Sequence, residues 1–267
     1  MEFQNLTCER SDAVMVVTLN RPQKLNSLSL GLLRDLKSCL EQIRNDRSLR
    51  AVLLTGAGRG FCAGADLTDP DGMAAPGQSM GQFLASRLRE YYNPVALMFC
   101  SLPVPLVVAL NGVSAGAGAS LALMGDVTVA ARSASLTFVF APRLGLVPDM
   151  GGTYFLARRI GEARARALAL SGRVIGAEEA ERIGLIAECV DDADLGERSM
   201  QLARELAAGP RAAFIGVRDL MASALQASLP DQLEAEAAMQ ARLGDSADFV
   251  EGVTAFREKR APRFGAR

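Results

Sequence analysis

The chain has 267 residues, 49% of them hydrophobic and 22% charged, enough to bury a core as one large domain or one domain with an appendage. Lys and Arg total 29 against 30 Asp and Glu, and a net charge of -1 offers nucleic acid no basic field. There is no histidine, which removes Ser-His-Asp and Cys-His catalysis, argues against a catalytic zinc, and leaves acid–base chemistry to carboxylates, Tyr, Lys or Cys.

In chain order, residues 14–20 are β-rich and predict a strand, which Arg21-Pro22 breaks. Across residues 29–44, Leu32, Leu33, Leu36, Leu40 and Ile43 recur with helical spacing. Residues 51–55 read as a buried strand. Residues 68–80, rich in Gly, Pro and Asp, read as a loop, and residues 82–100 as helix. A further buried strand is expected at 106–110, a helix at 115–124, and short strands at 127–131 and 136–138. From Gly161 onward the pattern is mainly helical, with Gly184 a helix stop, a last strand at 186–190, and breaks at Gly209-Pro210 and Pro230. Residues 104–125 are mostly apolar, but Pro105, Asn111, Gly112 and Ser114 interrupt them, favouring a buried strand, turn and helix over a membrane span.

Strands and helices alternate through the first three quarters and helices fill the rest, which predicts an α/β core with a helical C-terminal section. No repeat of fixed period is present. Cys8, Cys39, Cys62, Cys100 and Cys189 form an odd set with no C-x-x-C pair, and residues 1–10 lack an apolar signal core. A reduced, cytoplasmic setting is expected.

Three segments carry chemistry. Gly58-Arg59-Gly60-Phe61-Cys62-Ala63-Gly64-Ala65-Asp66-Leu67 follows a predicted strand, and its small residues either let a ligand reach backbone N–H groups or make an ordinary glycine-rich turn. Asn111-Gly112-Val113-Ser114-Ala115-Gly116-Ala117-Gly118-Ala119-Ser120 is a strand-to-helix junction. Its N–H groups suit a developing oxyanion, or the small residues serve close packing. It fits a dinucleotide fingerprint poorly, since Leu121 stands where a third glycine belongs. In Gly145-Leu146-Val147-Pro148-Asp149-Met150-Gly151-Gly152-Thr153, Asp149 is a lone carboxylate among apolar residues. Burial would suit it to proton transfer, whereas its bland alternative is a helix N-cap.

In order and spacing, these segments resemble the crotonase (enoyl-CoA hydratase/isomerase) superfamily, from Asn20-Arg21-Pro22 to Phe256-Arg257-Glu258-Lys259-Arg260. The resemblance implies an α/β fold: a ββα spiral core over residues 1–200 with the acyl-CoA site, then a helical trimerisation region over 201–267. It implies a trimer or dimer of trimers, with no nucleic-acid or membrane partner and no metal. No separate cofactor is implied, since coenzyme A enters as part of the thioester substrate. By the same resemblance, the N–H groups of Ala63 and Ala117 form the oxyanion hole, and Ala63, Gly64, Ala65 and Asp66 border the coenzyme A adenine. Phe256 and Lys259 reach a neighbouring subunit's coenzyme A. The two glutamates that hydratases use fall on Ser120 and Ala141, neither of which can act as a carboxylate base. Asp149 falls where some isomerases carry an acid. The stretch from Phe140 to Gly152, Tyr91-Tyr92-Asn93-Pro94 and Ala115-Gly116-Ala117-Gly118-Ala119 look most like bacterial phenylacetate-pathway isomerases. Those act on ring epoxides and unsaturated acyl-CoA double bonds. An isomerase with Asp149 as its single base is the expectation. The alternatives are a hydratase with atypical residues and a catalytically silent CoA-thioester binder.

Overall fold

The computed structural model describes residues 3–70 and 77–265, so residues 71–76 of the expected loop lie outside the described part. Strands β1 (Leu6–Ser11) and β2 (Val14–Leu19) form an antiparallel hairpin. Helix α1 (Leu30–Asn45) follows. Ser29 caps it by accepting the Leu32 N–H at 3.1 Å, and the predicted leucine stripe is its buried face.

Three strand–strand–helix units come next. They are β3 (Ala51–Gly56), β4 (Gly60–Cys62) and α2 (Met80–Arg87); β5 (Leu106–Leu110), β6 (Val113–Ala115) and α4 (Ala117–Ala122); and β7 (Val127–Ala131), β8 (Ser135–Thr137) and α5 (Gly152–Ser171). In the first unit, α2 runs through a π-helical turn (Leu88–Tyr92) into α3 (Asn93–Cys100). The first strand of each unit joins a six-stranded sheet, ordered β1-β2-β3-β5-β7-β10, and the second joins a four-stranded sheet, ordered β4-β6-β8-β9. The chain therefore spirals, with one strand per turn in each sheet. The repeat is structural and leaves no fixed sequence period, since β3, β5 and β7 begin at unevenly spaced Ala51, Leu106 and Val127.

The chain closes with β9 (Ile175–Gly176), α6 (Ala177–Arg182), β10 (Glu188–Val190), α7 (Leu195–Ala208), α8 (Arg211–Ala224), α9 (Leu229–Gly244) and α10 (Ala247–Glu258). Helix α7 packs on β2, β3, β5 and β7, so residue 200 falls inside a helix that covers the sheet. Gly209-Pro210 separates α7 from α8, and Pro230 stands in the first turn of α9, a position that tolerates its missing N–H.

Three expectations are corrected. The helix expected at 115–124 begins at Ala117, because Val113–Ala115 pairs with β8 as β6. The helical pattern expected from Gly161 begins at Gly152, and Gly161, at φ +75°, interrupts α5 instead of starting it. Strands β1, β4, β6 and β9 had no predicted counterpart. Residues 104–125 form β5, β6 and α4, and among the described residues no helix is long and apolar enough to cross a membrane.

Candidate active site

The two glycine-rich segments meet. A Cβ at Gly64 would lie 2.7 Å from the Ala115 carbonyl oxygen and 3.4 Å from the Ala117 nitrogen, and one at Gly118 would lie 2.0 Å from the Cys62 carbonyl oxygen. Only glycine permits this approach, and Gly64 also sits at φ +90°. Two buried or half-buried asparagines hold the turn above it. Asn26 accepts the Arg21 N–H at 2.8 Å and donates to the carbonyls of Ala57 (2.9 Å) and Gly60 (2.8 Å). Asn111 accepts the Gly56 N–H at 3.1 Å and donates to the Gly58 carbonyl at 2.9 Å.

This frame decides which backbone donors are free. The Ala63 N–H donates to the Leu25 carbonyl at 2.9 Å, so Ala63 is not an available oxyanion donor, and that expectation is corrected. Two residues on, Ala65 forms a parallel bridge with Leu28, in which Leu28 N–H donates to Gly64 O (2.7 Å) and Asp66 N–H to Leu28 O (3.1 Å). In a parallel bridge the residue opposite turns its own N–H away from its partner. Among the described residues the N–H groups of Ala65 and Ala117 have no acceptor. Ala117 opens α4, where first-turn N–H groups lack helical partners.

Ala65 borders a cavity of about 520 Å³ between the residues from Met80 to Asn93 and the loop from Leu146 to Gly151. Phe83, Leu84, Leu88, Leu146 and Val147 make much of its wall apolar. Asp66 and Asp149 are the carboxylates among its lining residues. Asp66 is held by Arg21 at 2.8 Å, with side chains only 5% and 15% exposed, and by the Thr68 hydroxyl and N–H at 2.7 and 3.0 Å. Burial alone would raise its pKa, but the Thr68 and Arg21 hydrogen bonds outweigh burial and bring it to about 2.

Asp149 is in the opposite state. Its Oδ1 is buried without a hydrogen-bond partner, and burial pushes its pKa up to about 6, against a smaller opposing effect of its own N–H. Nor does it cap the helix, the alternative reading of this residue, since α5 is entered from Gly151 with no side-chain cap. A tight reversal fixes it instead. Met150 and Gly151 lie at φ +48° and +80°, and Gly152 N–H donates to the Asp149 carbonyl at 2.8 Å. A non-glycine residue in that region costs about 1–3 kcal/mol and persists where its surroundings enforce it.

The other predicted residues lie elsewhere. Ser120 is fully buried with its Oγ unpartnered, and a Cβ on Gly152 would meet that oxygen at 2.6 Å, so it sits under the start of α5 and does not line the cavity. Ala141 borders a separate cavity of about 300 Å³. Phe256, 85% exposed on α10, borders a third of about 500 Å³ with Phe249 and Phe264, and Lys259 ends that helix at φ +54°. Neither reaches the Asp149 cavity within one chain. Arg21, Asn26 and Tyr92 were not among the predicted site residues. Among the described residues no group of three or more His, Cys, Asp or Glu could hold a metal ion.

A sequence model of the enoyl-CoA hydratase/isomerase family matches residues 9–267. The chain is 45% identical over 267 residues, all of both chains, to a Rhodobacter capsulatus protein named "probable enoyl-CoA hydratase". It is 45% identical over 252 residues, 94% of each chain, to the 1,2-epoxyphenylacetyl-CoA isomerase of Escherichia coli K12. Its fold is similar to the crystal structure of an enoyl-CoA hydratase from Bacillus anthracis, with a TM-score of 0.90, 34% identity, and coverage of 99% of this chain and 100% of that one.

Proposed function

This chain belongs to the enoyl-CoA hydratase/isomerase (crotonase) family of enzymes acting on coenzyme A thioesters, and we propose that within the family it is an acyl-CoA isomerase with Asp149 as its single base. The thioester oxygen accepts hydrogen bonds from the N–H groups of Ala65 and Ala117, which stabilise negative charge as it develops there. That lowers the pKa of the carbon beside the carbonyl, or of its vinylogous position. Asp149 removes a proton from one carbon and returns it to another, shifting the double bond. With a ring epoxide, the same carboxylate assists the rearrangement.

The observation that carries this reading is the Asp149 carboxylate: buried, unpartnered at Oδ1 and raised to about 6, a value suited to taking and releasing a proton near neutral pH. The residues from Ala63 to Asp66 border the coenzyme A, with Asp66 fixing the loop through Arg21. Phe256 and Lys259 serve a neighbouring subunit's site in a trimer or dimer of trimers. The five free cysteines suit a reduced cytoplasmic setting.

A hydratase is the second reading, favoured by the names of the Rhodobacter and Bacillus proteins. Against it, hydration calls for a positioned water and a proton donor, and neither Ser120 nor Ala141 lines the cavity. A panel of pure 3-enoyl, 2-enoyl and epoxyphenylacetyl CoA esters, with products identified by NMR and mass spectrometry, separates the two. Isomerised products support the proposal, and 3-hydroxyacyl-CoA as the main product replaces it with hydration.

A further inference from the structure

The wall of the cavity beside Asp149 includes a tyrosine that the reaction above does not use. Tyr92 lines the cavity with Asp149 and is 8% exposed. It closes the π-helical turn between α2 and α3, a helix distortion that recurs at functional sites. Its hydroxyl donates to the Leu28 carbonyl at 3.3 Å. That is long beside the roughly 2.7–2.8 Å usual between two oxygens. The same carbonyl already accepts the Asp66 N–H at 3.1 Å. The Tyr92 hydroxyl is therefore buried with one weak, shared bond. Burial first, and then the charge of Asp149, hold its pKa well above the ordinary tyrosine value, so it is a neutral donor and not a base.

What fills the cavity decides whether that donor is satisfied. A hydrocarbon acyl chain shuts out water and leaves the hydroxyl with its weak bond alone. An acyl group with an oxygen near the carbon that Asp149 serves supplies a proper acceptor. Sites built around a buried hydrogen-bonding group discriminate against ligands that leave it unpaired. We propose that Tyr92 is a specificity-determining contact, donating its hydroxyl to an oxygen on the acyl group, so that this side chain favours an oxygenated acyl-CoA ester over a plain enoyl chain. The inference rests on the isomerase reading for the accompanying proton transfer.

Tyr92→Phe removes one oxygen and keeps the ring, and the Leu28 carbonyl retains its Asp66 partner. The test measures kcat/KM for 1,2-epoxyphenylacetyl-CoA and 3-hexenoyl-CoA in the wild type, Tyr92→Phe and Asp149→Asn. Calorimetric binding of unreactive thioether analogues of both esters repeats the comparison without turnover. Tyr92→Phe is expected to lower kcat/KM for the epoxide, and affinity for its analogue, by roughly 10- to 100-fold while changing the hydrocarbon pair less than about threefold. Asp149→Asn is expected to lower turnover of both esters. Equal losses on both esters, or no loss on either, overturns the role of Tyr92. Full turnover in Asp149→Asn overturns Asp149 as the base instead, and the binding ratio in Tyr92→Phe still decides the specificity claim.

Discussion

Asp66 and Asp149 border the same cavity, and each sits in a glycine-containing loop beside a strand-to-helix connection, but their surroundings differ. Asp66 has Arg21 and Thr68 within hydrogen-bond distance, while Asp149 has a buried oxygen with no partner. Residue type is identical: burial raises Asp149 to about 6, whereas the hydrogen bonds from Thr68 and Arg21 outweigh burial at Asp66 and bring it to about 2. A carboxylate locked to an arginine is a strut. One left unpaired in an apolar wall is destabilising to the fold and available for chemistry.

The largest expected effect concerns the reaction this pair does not support. With Ser120 and Ala141 away from the cavity, two positioned acid–base groups are missing, each contributing roughly 10²–10⁴-fold in dedicated hydratases. Crotonyl-CoA hydration, followed by loss of enoyl absorbance, should be barely detectable. Turnover matching the best isomerisation substrate would promote the hydratase reading.

Breaking the strut comes next. Arg21→Met leaves Asp66 buried beside Thr68 alone, and chemical denaturation should show a loss of about 3–5 kcal/mol, the usual consequence of removing one partner of a buried pair. The sign in pH follows from the direction of the shift. Asp66 is lowered from 3.8 to about 2, so its contribution is complete above 3.8 and disappears as pH falls through about 2. An unchanged acid limb in Arg21→Met would show that the pair does not set this titration.

Asp149 runs the other way. Raised from 3.8 to about 6, it leaves the fold most stable while protonated, below 3.8, and stability declines as pH rises through about 6. Asp149→Asn removes that decline and should stabilise the protein at pH 7 by about 3 kcal/mol. A destabilised Asn variant would mean that the carboxylate has a partner in solution.

The smallest effect lies away from both loops. Phe256→Ser alters an exposed side chain, so the single chain should keep its stability. Affinity for acyl-CoA should fall about tenfold, equivalent to the loss of one ordinary apolar contact. Unchanged affinity by calorimetry would remove Phe256 from the coenzyme A site.

The regular parts of this molecule were legible in the sequence because hydrophobic spacing announces them. Strands β2, β3, β5 and β7, helix α1, and the breaks at Gly209-Pro210 and Pro230 all carry such a signal. Strand β1 (LTCERS) is largely polar and pairs only with β2, and β4, β6 and β9 are two or three residues long, too short for an alternation to register. In the site, Asp149 was legible as a lone carboxylate in an apolar run. The proposed oxyanion donor was not, because every residue but proline has an N–H and nothing in the Ala63-Gly64-Ala65 letters tells which one is left without an acceptor. That depends on Leu25 taking one donor and Leu28 bridging opposite the other. Tyr92 was visible only as part of a likeness, since a half-polar ring in a helix reads first as core.

The pH dependence of kcat/KM for 3-hexenoyl-CoA isomerisation, in the wild type and in Asp149→Asn, tests the central claim most directly. The wild type should gain activity as pH rises through about 6, where Asp149 loses its proton. The Asn variant should lose that limb and at least roughly 10²-fold in rate while still binding the CoA ester. An Asn variant that isomerises at the wild-type rate with the same limb would contradict Asp149 as the base.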